Sequence, residues 1–176
     1  MPDVVLVQGA SRGLGLAFVR RLIEQSACSK VIATCRDPNS ALALRELAES
    51  RPEKVTLLRL DVTDVDSLEA VAETVSAAGK PIDLLINCAG VLHSPEGLRP
   101  EKRLQDVSVD NLEQYFRINT IGPLMVIKHL APLMTKRGRA IIANLSARVG
   151  SISDNRLGGW YGYRASKSAQ NMMTKT

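Results

Sequence analysis

The feature that most narrows the fold of this chain is an alternation. Five short apolar runs, at residues 4–7, 31–35, 55–60, 82–86 and 140–145, alternate with five stretches of helical character, at residues 14–23, 41–48, 67–78, 109–134 and 160–176. The first run is continuously apolar, the pattern of a strand buried on both faces. Leu14, Phe18 and Leu22 recur on one side of the first helical stretch. The second stretch ends near Pro52 and the third at Gly79, both residue types that stop helices. The long fourth stretch is expected to bend or break around Gly122-Pro123, because proline removes an N–H. Residues 93–105, charged and containing Pro95, Gly97 and Pro100, read as an exposed loop, and residues 146–159 as a second loop. Strands alternating with helices through short joints imply a parallel sheet with helices on both faces. Right-handed crossovers and a glycine turn after the first strand favour the doubly wound order, with ligands at the carboxyl ends of the strands.

At 176 residues the chain is expected to be one domain, residues 1–176, large enough to bury a core. Aromatic residues, at 3%, are too scarce for stacking-based nucleic-acid binding. The formal charge of +5 and the pI near 9.3 come from Lys and Arg spread along the chain without a run of five or six. A basic surface that attracts an anionic cofactor is therefore a simpler reading than a nucleic-acid partner. The cysteines, Cys28, Cys35 and Cys88, are odd in number and form no Cys-x-x-Cys, so reduced, mostly buried thiols in a cytosolic setting are expected. No signal peptide is expected from the opening residues, which enter a strand at once, and no apolar run reaches the length of a membrane span, so a cytoplasmic protein with no membrane partner is expected. His93 and His129 are too few and too scattered for a metal site, and no metal is expected.

The run Gln8-Gly9-Ala10-Ser11-Arg12-Gly13-Leu14-Gly15 spaces its glycines as Gly-x-x-x-Gly-x-Gly, a departure from the usual Gly-x-Gly-x-x-Gly. The physics is shared: Gly9 permits a tight turn, Gly13 lets the backbone approach a pyrophosphate, and Gly15 lets the helix lie close to the sheet. Free N–H groups at the helix start meet the anionic phosphates, with Ser11, Arg12 and Leu14 at the same turn. Without a ligand the same run is an ordinary glycine-rich turn. Arg36 follows the second strand where the adenosine ribose would sit, and with Arg12 it favours the extra 2′-phosphate of NADP(H) over NAD(H); Asp37 beside it points the other way. Asp61, next to Val62, ends the third strand, where it can accept from an adenine amino group or simply cap the next helix. Asn87-Cys88-Ala89-Gly90 ends the fourth, where small residues either let a flat ligand pass or form a simple turn.

Tyr163 and Lys167 lie four residues apart, hence on one face of a helix, one turn from each other. A nearby ammonium stabilises a phenolate, and a tyrosine so tuned can give a proton to a carbonyl oxygen or take one from an alcohol. Ser146, at the end of the fifth strand, can hydrogen-bond the same oxygen. Asn119, before Gly122-Pro123, could hold a water that links Lys167 to solvent. Each residue singly has a bland reading, as a chance helix pair, a loop start or a residue at a helix bend; the ordered set behind a glycine turn does not.

With the glycine turn, Asp61, Asn87-Cys88-Ala89-Gly90, Asn119, Ser146 and Tyr163-Arg164-Ala165-Ser166-Lys167 in this order, the chain resembles a short-chain dehydrogenase/reductase from Val4 to its last residue. The resemblance implies a Rossmann-like doubly wound fold and a catalytic tetrad of Asn119, Ser146, Tyr163 and Lys167. It also implies contact of Tyr163 and Lys167 with the nicotinamide ribose. The loop after Ser146 is similar to that of carbonyl reductases of the C-factor and sniffer type. A small carbonyl or alcohol substrate and a homodimer or homotetramer follow as expectations. Gln8 stands where the family usually has threonine, and Cys88 where it usually has asparagine. The chain also stops nine residues after Lys167, where family members continue with two more strands and a substrate-covering segment. A fragment with an incomplete domain is therefore expected, and a non-catalytic nucleotide-binding or regulatory module is the alternative to an enzyme.

Overall fold

The computed structural model describes residues 2–95, 97–136 and 138–176; Met1, Glu96 of the expected 93–105 loop and Arg137 lie outside the described residues. Strands β1 (Val4–Gln8), β2 (Lys30–Cys35), β3 (Val55–Arg59), β4 (Leu84–Asn87) and β5 (Ile141–Asn144) form one parallel sheet in the order β3-β2-β1-β4-β5. Between and after them run α1 (Gly13–Ile23), α2 (Leu42–Ser50), α3 (Val65–Ala77), α4 (Val109–Phe116), α5 (Gly122–Leu130) and α6 (Tyr161–Lys175). This is the Rossmann-like α/β arrangement that the alternation implied. The chain forms two compact units, one of Met1–Ala89 with Met125–Leu145, the other of Gly90–Leu124 with Ser146–Thr176.

The first unit holds the sheet. All five residues of β1 are buried, as expected for the central strand. Val5 and Val7 with Val31, Ala33 and Cys35 form a core with Leu16 and Val19 of α1 and Leu44 of α2. On the opposite face, Val4, Ile32, Thr56 and Leu58 line a cleft with Thr74 and Val75 of α3. This two-sided burial follows from the alternation of side chains along each strand, and each Val or Leu so buried stabilises the fold by roughly 1.5–3 kcal/mol. The register, Val5 opposite Val31 on one side and Leu84 on the other, brings the carboxyl ends of β1, β2 and β4 level.

Three expectations are corrected. The buried stripe of α1 is Gly15, Leu16 and Val19, while Leu14 and Phe18 are 65% and 36% exposed. Gly15, lacking a side chain, makes the close approach and so centres the buried face on itself. The fourth strand is displaced toward the C-terminus, because Ile82 bridges Met134 instead of joining β1. Met172 and Met173, expected to pack in the last helix, are 67% and 38% exposed.

In the second unit the long helical stretch breaks one turn before its proline. A π-helical turn, Arg117–Ile121, joins α4 to α5, and the Gly122 N–H reaches back to the Arg117 carbonyl. Pro123 is the cause: without an N–H it cannot bond the carbonyl of Asn119, so the disturbance falls on the turn around Asn119.

Candidate active site

The glycine turn lies in the first unit, at the carboxyl end of β1. The N–H groups of Gly9 and Ala10 both donate to the Thr34 carbonyl, at 3.0 and 2.8 Å. Gly9 and Gly13 have φ of +80° and +57°, in the left-handed region that glycine enters without strain. A Cβ on Gly9 would lie 2.7 Å from the Ala89 nitrogen, and one on Gly15 would run into the Gly9 carbonyl. Gln8 supplies the brace that its position calls for: its buried Oε1 accepts from the Ala89 N–H at 3.0 Å, tying the turn to the end of β4. Arg12 precedes α1 without a side-chain cap, and no acidic residue sits in the first turn. The first N–H groups of α1 therefore remain available to an anion, beside the exposed Arg12 and half-buried Ser11. This backbone cradle fits a pyrophosphate.

Further along the same ends, Arg36 is exposed directly after β2. The Asp37 carboxylate is engaged locally, accepting from the Asn39 N–H at 2.9 Å, and hydrogen bonds from Ser40 and Asn39 hold it below the usual carboxylate range. Asp61 accepts from the Thr63 N–H and hydroxyl at 2.9 and 2.8 Å, and Val62 beside it is buried. Asn87 Nδ2 donates across the sheet to Asn144 Oδ1 at 2.8 Å, while its own Oδ1 is buried without a partner. Burial pushes the Cys88 thiol up to about 11, so it stays protonated and inert near neutral pH.

All four residues of the expected tetrad fall in the second unit. Tyr163 sits on α6 with its ring edge-on to Tyr115 and Trp160, at centroid distances of 6.2 and 6.3 Å. Lys167, one turn on, is 3% exposed, and burial lowers its ammonium to about 8. Its Nζ donates to Gln170 Oε1 at 2.8 Å. Gly90 makes the approach to this group possible, since a Cβ there would lie 3.3 Å from Asn119 Oδ1 and 3.4 Å from Lys167 Nζ. The expectation that Lys167 draws the Tyr163 phenol down is not met: burial raises it. Asn119 is fully buried and its amide is spent on structure. Oδ1 accepts from the Val91 N–H at 2.7 Å, and Nδ2 donates to the Val91 carbonyl and to Ser166 Oγ. Ser146 Oγ donates to Asn171 Oδ1 at 2.5 Å, two turns beyond Tyr163 on the same helix.

Three residues of this neighbourhood escaped the sequence reading. Gln170 and Asn171 follow Lys167 at helical spacings of three and four, a signal the chain does contain. Glu101, in the segment read as an exposed loop, is 2% exposed and binds the start of α6, with Oε2 accepting from the Gly162 N–H at 3.2 Å. Among the described residues no three His, Cys, Asp or Glu side chains gather as a metal site, and no helix is long and apolar enough to cross a membrane.

The sequence matches the short chain dehydrogenase family over residues 3–176. It is similar to the 1-hydroxy-2-glutathionyl-2-methyl-3-butene dehydrogenase of Rhodococcus sp. (strain AD45), 32% identical over 97% of this chain and 68% of that protein. Its fold is similar to carbonyl reductase Sniffer of D. melanogaster, with a TM-score of 0.90 and 30% identity over 99% of this chain and 73% of that one. An NADPH-bound carbonyl reductase from chicken fatty liver aligns with a TM-score of 0.87 and 34% identity, over 98% of this chain and 68% of that one. Across three curated relatives the chain spans between 48% and 68% of the relative's length. With nearly its whole length matched, the chain belongs to the short-chain dehydrogenase/reductase family.

Proposed function

We propose that the protein is an NADP(H)-dependent oxidoreductase acting on a ketone, aldehyde or secondary alcohol, with Tyr163 as the general acid and base. The observation that carries this reading is one face of α6, where half-buried Tyr163 and buried Lys167, its ammonium lowered to about 8, lie one turn apart, with Gly90 close to both the lysine and Asn119. The nicotinamide cofactor, when bound, supplies or accepts the hydride at the carbonyl carbon. Tyr163, raised by burial, holds its proton at neutral pH and can donate it to a carbonyl oxygen. In the reverse direction the phenol must ionise, and the Lys167 ammonium lowers that cost. Ser146 hydrogen-bonds the substrate oxygen once its hydroxyl turns from Asn171. Asn119 acts through its backbone carbonyl and not its committed amide: Pro123 cannot bond that oxygen, which suits it to accept from a water beside Lys167.

The preference for NADP(H) rests on Arg12 and Arg36, both exposed, and on the partial local engagement of Asp37, which weakens the argument for a ribose-binding carboxylate there. The NADPH in the chicken liver neighbour agrees with this. The test is a fluorescence titration with NADPH and NADH, followed by a carbonyl screen of wild type and Tyr163→Phe. Tighter NADPH binding, retained in the variant while turnover is lost, is expected. Turnover by the variant at the wild-type rate overturns the mechanism. Saturable binding without turnover by the wild type favours a nucleotide-binding module.

A further inference from the structure

We propose that Gln170 is a positioning residue for Lys167, fixing its Nζ by accepting a hydrogen bond and so keeping the ammonium charged in a buried setting. The bond from Nζ to Gln170 Oε1 is 2.8 Å long, and both residues are nearly fully buried, at 3% and 2% exposure. The other half of the amide makes the case stronger. Gln170 Nε2 is buried without a hydrogen-bond partner, and an orphaned buried donor is costly. An apolar side chain of the same shape would avoid that cost, so the amide must be offset by what its oxygen does, and its oxygen binds the lysine. The surroundings constrain the lysine further, since a Cβ on Gly150 would lie 2.9 Å from Lys167 Cβ. Stem and head are thus held by different contacts, the stem by backbone proximity and the head by Gln170.

The elements packed against α6 carry Asp110, Glu113, Arg117 and Arg148, the last paired with Asp154 at 2.7 Å, while Glu101 binds the helix start. The lowering of Lys167 is caused by burial. The amide oxygen acts against that lowering.

The role of Gln170 in turnover rests on the oxidoreductase reading; its hold on the lysine does not. The test is therefore an NMR titration of the lysine 13Cε signals in the cofactor-free chain, with Lys167 assigned by its loss in Lys167→Arg. In Gln170→Met the Lys167 midpoint is expected to fall by about one unit or more, since a hydrogen bond to a charged group is lost. In Gln170→Glu it is expected to rise, since a charged acceptor replaces a neutral one. A purely packing role would leave both midpoints alone or move them in the same direction, and either result overturns the proposal. Gln170→Leu gives the same reading as Gln170→Met should the latter fail to fold, and Gln170→Glu tests the opposite sign independently. Because no cofactor or substrate is involved, a failed carbonyl screen sinks the enzymatic reading alone, and an unmoved midpoint sinks this one alone.

Discussion

At the scale of single residues, the site separates groups that hold the structure from groups left to do chemistry. Asn119 belongs to the first kind. Its amide makes three hydrogen bonds, two to Val91 and one to Ser166, in a fully buried position. Asn119→Ala removes all three and strands the Val91 N–H and carbonyl, so a loss of roughly 2–4 kcal/mol is expected in urea unfolding. Ser146→Ala removes one bond at an exposed position, and a loss below about 1 kcal/mol is expected there. Equal losses in the two variants would contradict this division. The exposed serine hydroxyl is thus the group that can change partners during a reaction, and the asparagine amide is not.

At the scale of elements, the start of α6 sets where Tyr163 stands. Trp160 takes a left-handed conformation, φ 55°, before the helix, and its N–H donates to the Glu101 carbonyl at 2.5 Å. The Glu101 carboxylate then accepts from Gly162, where a carboxylate also complements the helix dipole. A side chain on Gly162 would run into the Tyr115 ring. Glu101→Ala should therefore loosen the first turn of α6, with a cost of about 1–3 kcal/mol and a red shift in the fluorescence of Trp160, the single tryptophan. Glu101→Gln keeps an acceptor and should recover most of both; if it behaves like the alanine variant, the hydrogen bond is not what holds the turn. This arrangement also marks the limit of the sequence. The five strands, the glycine turn and the Tyr163–Lys167 face were legible, because each rests on local spacing or on a residue type that the backbone demands. Pro123 announced a break but not its place, which depends on which carbonyl loses its partner. Glu101 looked like one more charge in a polar loop. Nothing local tells that its carboxylate folds under a helix 61 positions away. The inner face of α1 was misread for a related reason: the closest packing is made by Gly15, a residue that a search for apolar side chains passes over.

At the scale of the molecule, the buried ammonium should leave a signature in stability against pH. Lys167 falls from 10.5 to about 8 on folding because burial disfavours its charged form. The unfolded chain therefore binds the extra proton between about pH 8 and 10.5, and this group makes stability rise with pH across that window. Below pH 8 the burial cost is fully present; above 10.5 it is gone. A shift of this size corresponds to roughly 3 kcal/mol. The buried thiols and Tyr163 act in the opposite sense. Their folded values are raised, so each loses its proton first in the unfolded chain and lowers stability above about pH 9 for the cysteines and 10 for the tyrosine. The bare profile of the wild type mixes these trends, and a comparison with Lys167→Met removes the mixture, since the other groups are common to both chains. The methionine variant is expected to be the more stable near pH 7, by as much as about 3 kcal/mol, with its advantage shrinking steadily to pH 10.5. Denaturant unfolding at half-unit pH steps, followed by helix circular dichroism, reads the difference directly. A constant difference across that range would mean that Lys167 titrates alike in the folded and unfolded chains. The ammonium would then meet no burial cost.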